Sequence, residues 1–362
     1  FPVLIRPSYV LGGRGMEILS NDKQVDAYLE EAYLAPDKPL LIDEYLGHAT
    51  ELDVDAAADG EQVLVGAIME HLEQAGIHSG DSTCFIPTQN ISQEMLKRVD
   101  EQTRIIGLKL KIKGCYNIQF AIQGDNLYCL EVNPRSSRTV PFVAKSTGLP
   151  MARIAARITI GIPLSQQEIP RRTTGHVCVK APVFPFIKLR GLDPAPGPEM
   201  KSTGEVFGSD IRADLAYLKA RLATEIPVAT EGGAYLTVRE EDKAALVPIA
   251  QSLIDLNFTI FATPGTADVL RKANIPVTTS YRIAERMHPD SLDLMRKGDV
   301  NFIVNVPTIS GGAVRDGNMM RRLAVELNIP FVTTMRGAVM EVAAMKARLE
   351  NNLEPRRLEV HY

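Results

Sequence analysis

Hydrophobic and polar positions divide the chain into two stretches with different rhythms. Up to about residue 212, short apolar runs predominate. Pro2–Pro7, Pro39–Glu44, Glu51–Ala58, Gln62–Met69, Asn117–Ile122 and Leu127–Asn133 read as strands, being Val/Ile/Leu-rich or alternating. Ser92–Lys109 instead repeats at helical spacing, with Met95, Val99, Ile105 and Ile106 as expected core positions and Ser92 as N-cap. Pro182–Pro198 contains five prolines and reads as an extended surface segment packed against this first region.

A short helix is expected near Ala213–Thr224, followed by Gly232-Gly233 as a hinge. Beyond it, strands at Ala234–Val238, Phe258–Ala262, Val277–Thr279, Val300–Asn305 and Phe331–Thr334 alternate with helical stretches, the last being Met335–Glu350. Such alternation predicts a parallel, Rossmann-like sheet covered by helices on both faces. The expected fold class is therefore α/β and α+β, with residues 1–212 as one domain, 213–232 as a linker and 233–362 as a second domain.

Length and charge narrow the functional classes. The 362 residues suffice for two or three cores. With Lys+Arg 40 against Asp+Glu 44 and a net charge of -4, there is no concentrated basic stripe of the kind nucleic acid requires. No apolar run approaches the roughly 20 residues that span a bilayer, so no membrane partner is expected. The opening Phe1–Arg6 reads as a strand rather than a charged leader. It lacks a starting Met and begins inside a strand pattern, as expected of a piece of a longer protein. Cys84, Cys115, Cys129 and Cys178 have no CxxC spacing, so neither a zinc site nor a disulfide framework is expected, and the thiols fit a reducing cytoplasm.

Candidate chemistry begins in Ser8-Tyr9-Val10-Leu11-Gly12-Gly13-Arg14-Gly15-Met16-Glu17. Its glycines read equally as a hairpin turn or as a loop through which the backbone approaches phosphate oxygens, with Arg14 as an added donor. The loop matches neither a P-loop nor the G-x-G-x-x-G fingerprint. Further on, Gln123-Gly124-Asp125-Asn126 is a hairpin signal that brings Gln119 near Glu131, and Glu131 and Asn133 share a face. Oxygen ligands on neighbouring strands suit Mg²⁺ or Mn²⁺ bridging nucleotide phosphates, and Arg135 and Arg138 can hold an anionic co-substrate. The alternative is a solvated strand end with ordinary surface charges. His71 and His78 lack a third ligand for zinc. Thr263-Pro264-Gly265-Thr266 opens a helix and reads either as an anion site or as a plain cap.

The order of these motifs resembles an ATP-grasp ligase. Arg6–Arg14, Met69-Glu70-His71, Gln74–Ser82, Glu131–Val143 and Pro198–Val206 resemble more specifically the large subunit of carbamoyl phosphate synthetase, over essentially the whole chain. The resemblance implies the second, carbamate-phosphorylating ATP-grasp half, incomplete at its start, followed by an allosteric domain similar to methylglyoxal synthase. It places Arg14, Glu44, Leu46, Glu51, Gly76, Ile77, His78, Ser79, Gln119 and Glu131 at ATP-contacting positions, and Gln119, Glu131 and Asn133 at metal positions. Glu44 departs from the family, some members of which have His there. The implied catalytic set is Arg14, Glu131, Asn133, Arg135 and Arg138. Implied cations are Mg²⁺ or Mn²⁺, with K⁺ a further candidate.

By the same resemblance Thr237, Lys243, Thr263, Thr266, Arg282 and Asn305 match an effector-phosphate region. Arg282 stands where some members have Lys, and Val306-Pro307 replace hydroxyl residues. Glu73, Asp81, Glu205 and Thr333 match an ornithine pattern, with Phe331 replacing a Tyr. The implied partners are a glutaminase small subunit, ATP, carbamate and a nucleotide or ornithine effector, in a cytoplasmic hetero-oligomer serving pyrimidine and arginine biosynthesis. A regulatory binding protein with an inactive ATP-grasp half and a stand-alone lyase are the competing readings, and the fragment alone is not expected to make carbamoyl phosphate from bicarbonate.

Overall fold

The computed structural model describes residues 1–8, 10, 12–31, 39–170, 175–189, 191–307, 312–351 and 353. A small antiparallel sheet forms first, from β1 (Val3–Pro7), β2 (Glu17–Leu19) and β3 (Leu40–Glu44), with α1 (Asp22–Glu31) between the last two. Its core is Ile5, Leu19 and Tyr28. Tyr9 and Leu11 of the glycine loop lie outside the described residues.

A seven-stranded antiparallel sheet follows in the order β10-β9-β6-β5-β4-β7-β8. Its strands are β4 (Thr50–Ala58), β5 (Val63–Gln74), β6 (Cys84–Ile86), β7 (Gly114–Gln123), β8 (Asn126–Asn133), β9 (Val177–Val183) and β10 (Gly204–Asp210). Alternation along β4 divides the labour between the two faces. Leu52, Val54, Ala56 and Ala58 pack with Val99 of α2 (Gln93–Lys109), whereas Ala57 joins Phe142 of α3 (Val140–Thr147) and Met151, Ile154 and Ile158 of α4 (Met151–Thr159). Glu51, Asp53 and Asp55 alternate with the α2-facing residues and are buried.

Ser92 caps α2 as expected, its side chain accepting from the Met95 amide, and Met95 and Val99 are buried. Ile105 is not a core residue: it is 46% exposed, because Thr103 and Gly107 continue the buried row from Met95 and Val99 at four-residue intervals.

The C-terminal sheet is wholly parallel, in the order β13-β12-β11-β14-β15. It contains β11 (Gly233–Thr237), β12 (Thr259–Ala262), β13 (Thr278–Thr279), β14 (Phe302–Asn305) and β15 (Phe331–Val332). The helices are α6 (Lys243–Asp255), α7 (Pro264–Lys272), α8 (Ser291–Lys297), α9 (Gly312–Glu326) and α10 (Met335–Glu350).

Two features differ from the sequence reading. The helix expected near Ala213–Thr224 forms as α5 (Ala213–Ala223), but it is no free linker: its Ala216, Tyr217, Leu218 and Ala220 lie in a core shared with Val179 of β9 and Leu236 of β11. Apolar burial on both sides fixes this segment between the sheets. Nor is Gly232-Gly233 a free hinge. A Cβ on Gly232 would stand 2.0 Å from the Asn301 side chain, and one on Gly233 2.0 Å from the Asp299 carbonyl. The glycines serve close approach, and the Gly233 amide donates to Asn301 Oδ1 at 3.0 Å.

Candidate functional site

The β7–β8 hairpin aligns the expected metal ligands. Gln119 pairs directly with Glu131 and Asn117 with Asn133, and a bulge follows immediately after Gln119. The bulge accommodates one extra residue on β8 and re-aims the strand end. Asn133 Nδ2 donates to Glu131 Oε1 at 2.6 Å, while Gln119 Nε2 donates to Ser79 Oγ at 2.8 Å, which leaves the Gln119 carbonyl oxygen as an acceptor. Glu131 is exposed on an edge strand. This all-oxygen donor set fits a hard divalent cation.

Of the other expected nucleotide residues, Glu51, Gly76 and Leu46 are brought together around Tyr45 and Ala75. The Gly76 amide donates to Glu51 Oε1 at 2.9 Å, and a Cβ at Gly76 would approach the Tyr45 ring to 2.5 Å. Leu46 packs with Ala49, Ala75 and Ala121. Ile77 is half-buried beside them in sequence, whereas Glu44 is exposed at the end of β3. His78 Nδ1 accepts from the Gly80 amide at 3.0 Å, and burial keeps this imidazole below its ordinary pKa. Arg14 is exposed in the glycine loop.

The two expected anion-binding arginines diverge. Arg135 is exposed and donates to the Ser136 carbonyl at 3.2 Å. Arg138 reaches Met200 Sδ at 3.1 Å and Ser202 Oγ at 3.2 Å. Neither forms an ion pair among the described residues.

Beneath the ligands lies a buried charged layer that sequence reasoning missed. His71 Nε2 is 3.4 Å from Asp53 Oδ2 and Nδ1 is 3.5 Å from Glu51 Oε2. Burial works against its charge, but Cys84, Asp53 and Glu51 hold the imidazole well above its usual range. Burial also opposes a charged Lys180, which Cys84, Glu205 and Asp53 raise nonetheless. Asp53 goes the other way: burial would lift it, yet His71 and Lys180 hold the carboxyl below its usual value. Asp55, two residues on, is pushed up to about 6 by burial and by the Asp53 charge. It accepts from Asn117 Nδ2 at 3.0 Å, Ser137 Oγ at 2.7 Å and Thr139 Oγ1 at 2.6 Å, and so anchors the turn that carries Arg135 and Arg138. The available signal was the period-two acidic row Glu51, Asp53, Asp55 inside a strand otherwise apolar.

In the C-terminal region Thr237, Lys243, Thr263, Thr266, Arg282 and Asn305 line one cavity of about 370 Å³. It sits beyond the carboxyl ends of β11, β12 and β14, at the point where successive strands leave β11 in opposite directions. Thr263 occupies the N-cap of α7 but makes no capping bond, donating instead to Thr266 Oγ1 at 3.4 Å. The first-turn amides are thus not satisfied by the cap side chain, which favours the anion reading over the plain cap.

A second cavity, about 190 Å³, lies between the two regions and is lined by Glu73, Asp81, Phe331 and Thr333. Glu205 does not line it. That carboxyl sits beside Lys180, Arg138 and Lys145, with one oxygen buried and without a hydrogen-bond partner among the described residues. Glu205 and Glu73 both act on the Lys180 ammonium, so Glu205 lies near this group without lining the cavity itself. Asp81 accepts from the Lys201 and Ser202 amides at 2.7 and 2.9 Å.

The family model described as carbamoyl-phosphate synthase L chain, ATP binding domain, matches residues 1–167, and the one described as MGS-like domain matches 245–333. The carbamoyl phosphate synthase large chain of Methanosarcina barkeri is 44% identical over 348 residues, covering 96% of this chain and 87% of that protein. The chain belongs to the carbamoyl phosphate synthase large-chain family. The large chain of Methanocorpusculum labreanum is 43% identical over 363 residues, covering 100% of this chain but 34% of that protein. A relative in Methanocaldococcus jannaschii, named as the large chain's C-terminal section, is 44% identical over 360 residues, covering 96% of this chain and 58% of that protein. The chain thus spans about a third of the length of the longest of these large-chain relatives. The ATP-binding match takes in β1 to β8 with the hairpin, and the MGS-like match takes in β12 to β15 of the parallel sheet. Among the described residues no helix is long and apolar enough to cross a membrane.

Proposed function

We propose that residues 1–212 form an ATP-grasp site that binds ATP with Mg²⁺ or Mn²⁺ and phosphorylates carbamate, as the second phosphoryl-transfer step of carbamoyl phosphate synthesis. The observation that carries this reading is the in-register pair Gln119–Glu131 with Asn133 bonded to Glu131. A divalent cation held there would neutralise the phosphate charge that builds during transfer. Arg14, His78 and Ser79 would bind and orient the polyphosphate, and Arg135 or Arg138 the carbamate. Glu51 would shape the adenosine side through its bond to the Gly76 amide. With a glutaminase subunit supplying ammonia and the first ATP-grasp half supplying carbamate, the full reaction would consume bicarbonate, glutamine and two ATP for pyrimidine and arginine synthesis.

The cavity at Thr237, Lys243, Thr263, Thr266, Arg282 and Asn305 would bind the phosphate of a nucleotide effector. The inter-region cavity would admit a small amine, with Glu73 and Asp81 as its carboxylates. Retention of Gln119, Glu131 and Asn133 in one register speaks against an inactive, purely regulatory ATP-grasp half. The test is the back reaction in the intact enzyme, ATP formation from ADP and carbamoyl phosphate. Glu131→Gln is expected to abolish it, and a wild-type rate would remove Glu131 from the metal site.

A further inference from the structure

Helix α9 presents two faces of opposite kind. Inward, Arg321 is 1% exposed, and its guanidinium takes the Asp193 carboxylate bidentately, Nε donating to Oδ1 at 2.8 Å and Nη2 to Oδ2. Asp316, Gly317 and Met320 turn to the anion cavity. Outward, Arg315, Met319, Arg322 and Glu326 recur every three to four residues and so share one stripe. With Leu323 and with Leu292 and Arg296 of α8 they line an open groove of about 680 Å³.

The groove carries positive charge that the chain does not neutralise. Arg296 and Arg315 are exposed and Arg322 is half-buried. None of the three forms an ion pair among the described residues. Other arginines of this region do find acids: Arg321 pairs with Asp193, Arg239 with Asp242 and Arg271 with Asp268. Acids of α8 and α9 are engaged on other sides. Asp293 accepts from the Asp290 amide at 3.0 Å, and Asp316 from the Ala284 amide at 3.3 Å. Glu326 lines the groove one turn from Arg322, yet the two are not paired. Three guanidinium groups thus face one carboxylate, in a chain whose net charge is -4. The floor between them is apolar. Leu292 and Leu323 belong to the cluster that holds Met295 and Met320, and Met319 is 39% exposed. An unbranched Met side chain adapts to the shape of what it meets.

We propose that this groove is a docking surface for an acidic, amphipathic helix of a partner protein. Charge complementarity selects the partner, because guanidinium forks match carboxylates bidentately. Arg315 and Arg322 stand two turns apart on α9, about 10 Å along its axis. Carboxylates two turns apart on a facing helix would meet both, and an apolar side chain between them would enter beside Met319. A nucleic acid fits less well: the net charge of -4 repels a long polyanion, and a phosphate backbone would leave the apolar floor in water. A bilayer surface is too flat to reach the floor between two helices. This face of α9 is separate from the one that meets the anion cavity, so docking here depends on neither site described above.

Fluorescence anisotropy with synthetic helical peptides tests the docking. The probe is a labelled peptide in which two glutamates, two turns apart, flank a leucine; its control has glutamine at both places. The glutamate peptide should bind this chain at least about tenfold more tightly than the glutamine peptide, and rising salt should shrink the difference. Arg322→Glu should lose the preference, and a peptide with lysine in place of one glutamate should regain binding to that variant. Rescue by charge exchange is not expected of an arginine that only supports the fold. Arg315→Gln, at an exposed position, should weaken the glutamate peptide alone and keeps the test open if charge reversal at Arg322 unfolds α9. Equal affinity for the two peptides, binding of neither, or an unchanged preference in both variants overturns the assignment. Tighter binding of inorganic polyphosphate than of the glutamate peptide overturns it in favour of a phosphate site. Self-association of the unmodified chain that Arg322→Glu abolishes in light scattering overturns it in favour of a second copy.

Discussion

The two candidate sites solve the problem of holding charge in opposite ways. In the ATP-grasp region the functional groups stand on the faces of antiparallel strands, over a buried layer of Glu51, Asp53, Asp55, His71 and Lys180. Each ionised member there depends on a neighbour of opposite charge, because a buried charge without one is costly. In the MGS-like domain the polar groups sit at strand ends: Thr237 closes β11, Asn305 closes β14 and Thr263 follows β12. Helix-terminal amides would supply part of the donor set there, so fewer buried charges would be required. A face-built site is consequently bound up with folding, whereas an end-built site can be altered with little effect on stability.

The largest test of that contrast is Asp53→Ala, which leaves His71 and Lys180 buried without their shared counter-charge. It is expected to cost about 3–5 kcal/mol, read as an early unfolding transition by calorimetry. A loss below about 1 kcal/mol would show that the layer is not a coupled charge network. Thr266→Ala in the cavity should by contrast shift stability little.

Next in size is the pH response of Asp55. Its carboxyl moves from 3.8 in the unfolded chain to about 6 in the fold, so the folded state binds the extra proton between those values. Its contribution to stability is full below about 3.8, falls as pH rises toward about 6 and is flat above. The change is on the order of 2–3 kcal/mol. Asp55→Asn should flatten that slope in urea titrations at stepped pH, and an unchanged slope would contradict the assignment.

Smaller effects bear on binding. Lys243→Met removes a charged donor from the anion cavity and should weaken phosphate binding by about 1.5–3 kcal/mol, with Mg–ATP binding unaltered in the same calorimetric series. Gly13→Ala places a Cβ against the Pro198 carbonyl at a φ of +69°. It should weaken Mg–ATP binding by about 1–3 kcal/mol and leave phosphate binding in the cavity intact.

Much of the fold was legible because its signals were local. Gly124 and its polar neighbours announced the β7–β8 hairpin, and with it the Gln119–Glu131 pairing. Regular βαβ alternation announced the parallel sheet. By contrast, β9 and β10 went unread: β9 has Lys180 and Pro182 in its run, and β10 has Gly204 and Gly208, residues that strands disfavour. Lys180 is buried because acids on other strands compensate it, and no window of sequence around it reveals that. Residues 213–232 read as a linker because their partners, β9 and α10, lie far away along the chain. Glu205 faces Lys180, Arg138 and Lys145, contacts made across strands that no stretch of sequence around it reveals.

The central claim is that Glu131, with Gln119 and Asn133, holds a nucleotide-bound cation. Electron paramagnetic resonance of Mn²⁺ titrated into the protein with ADP addresses it directly. Mn²⁺ should be captured by the unmodified chain in the presence of ADP, and Glu131→Gln should release it with at least about tenfold weaker binding, near 1.4 kcal/mol. Equal capture by the two proteins would contradict the account.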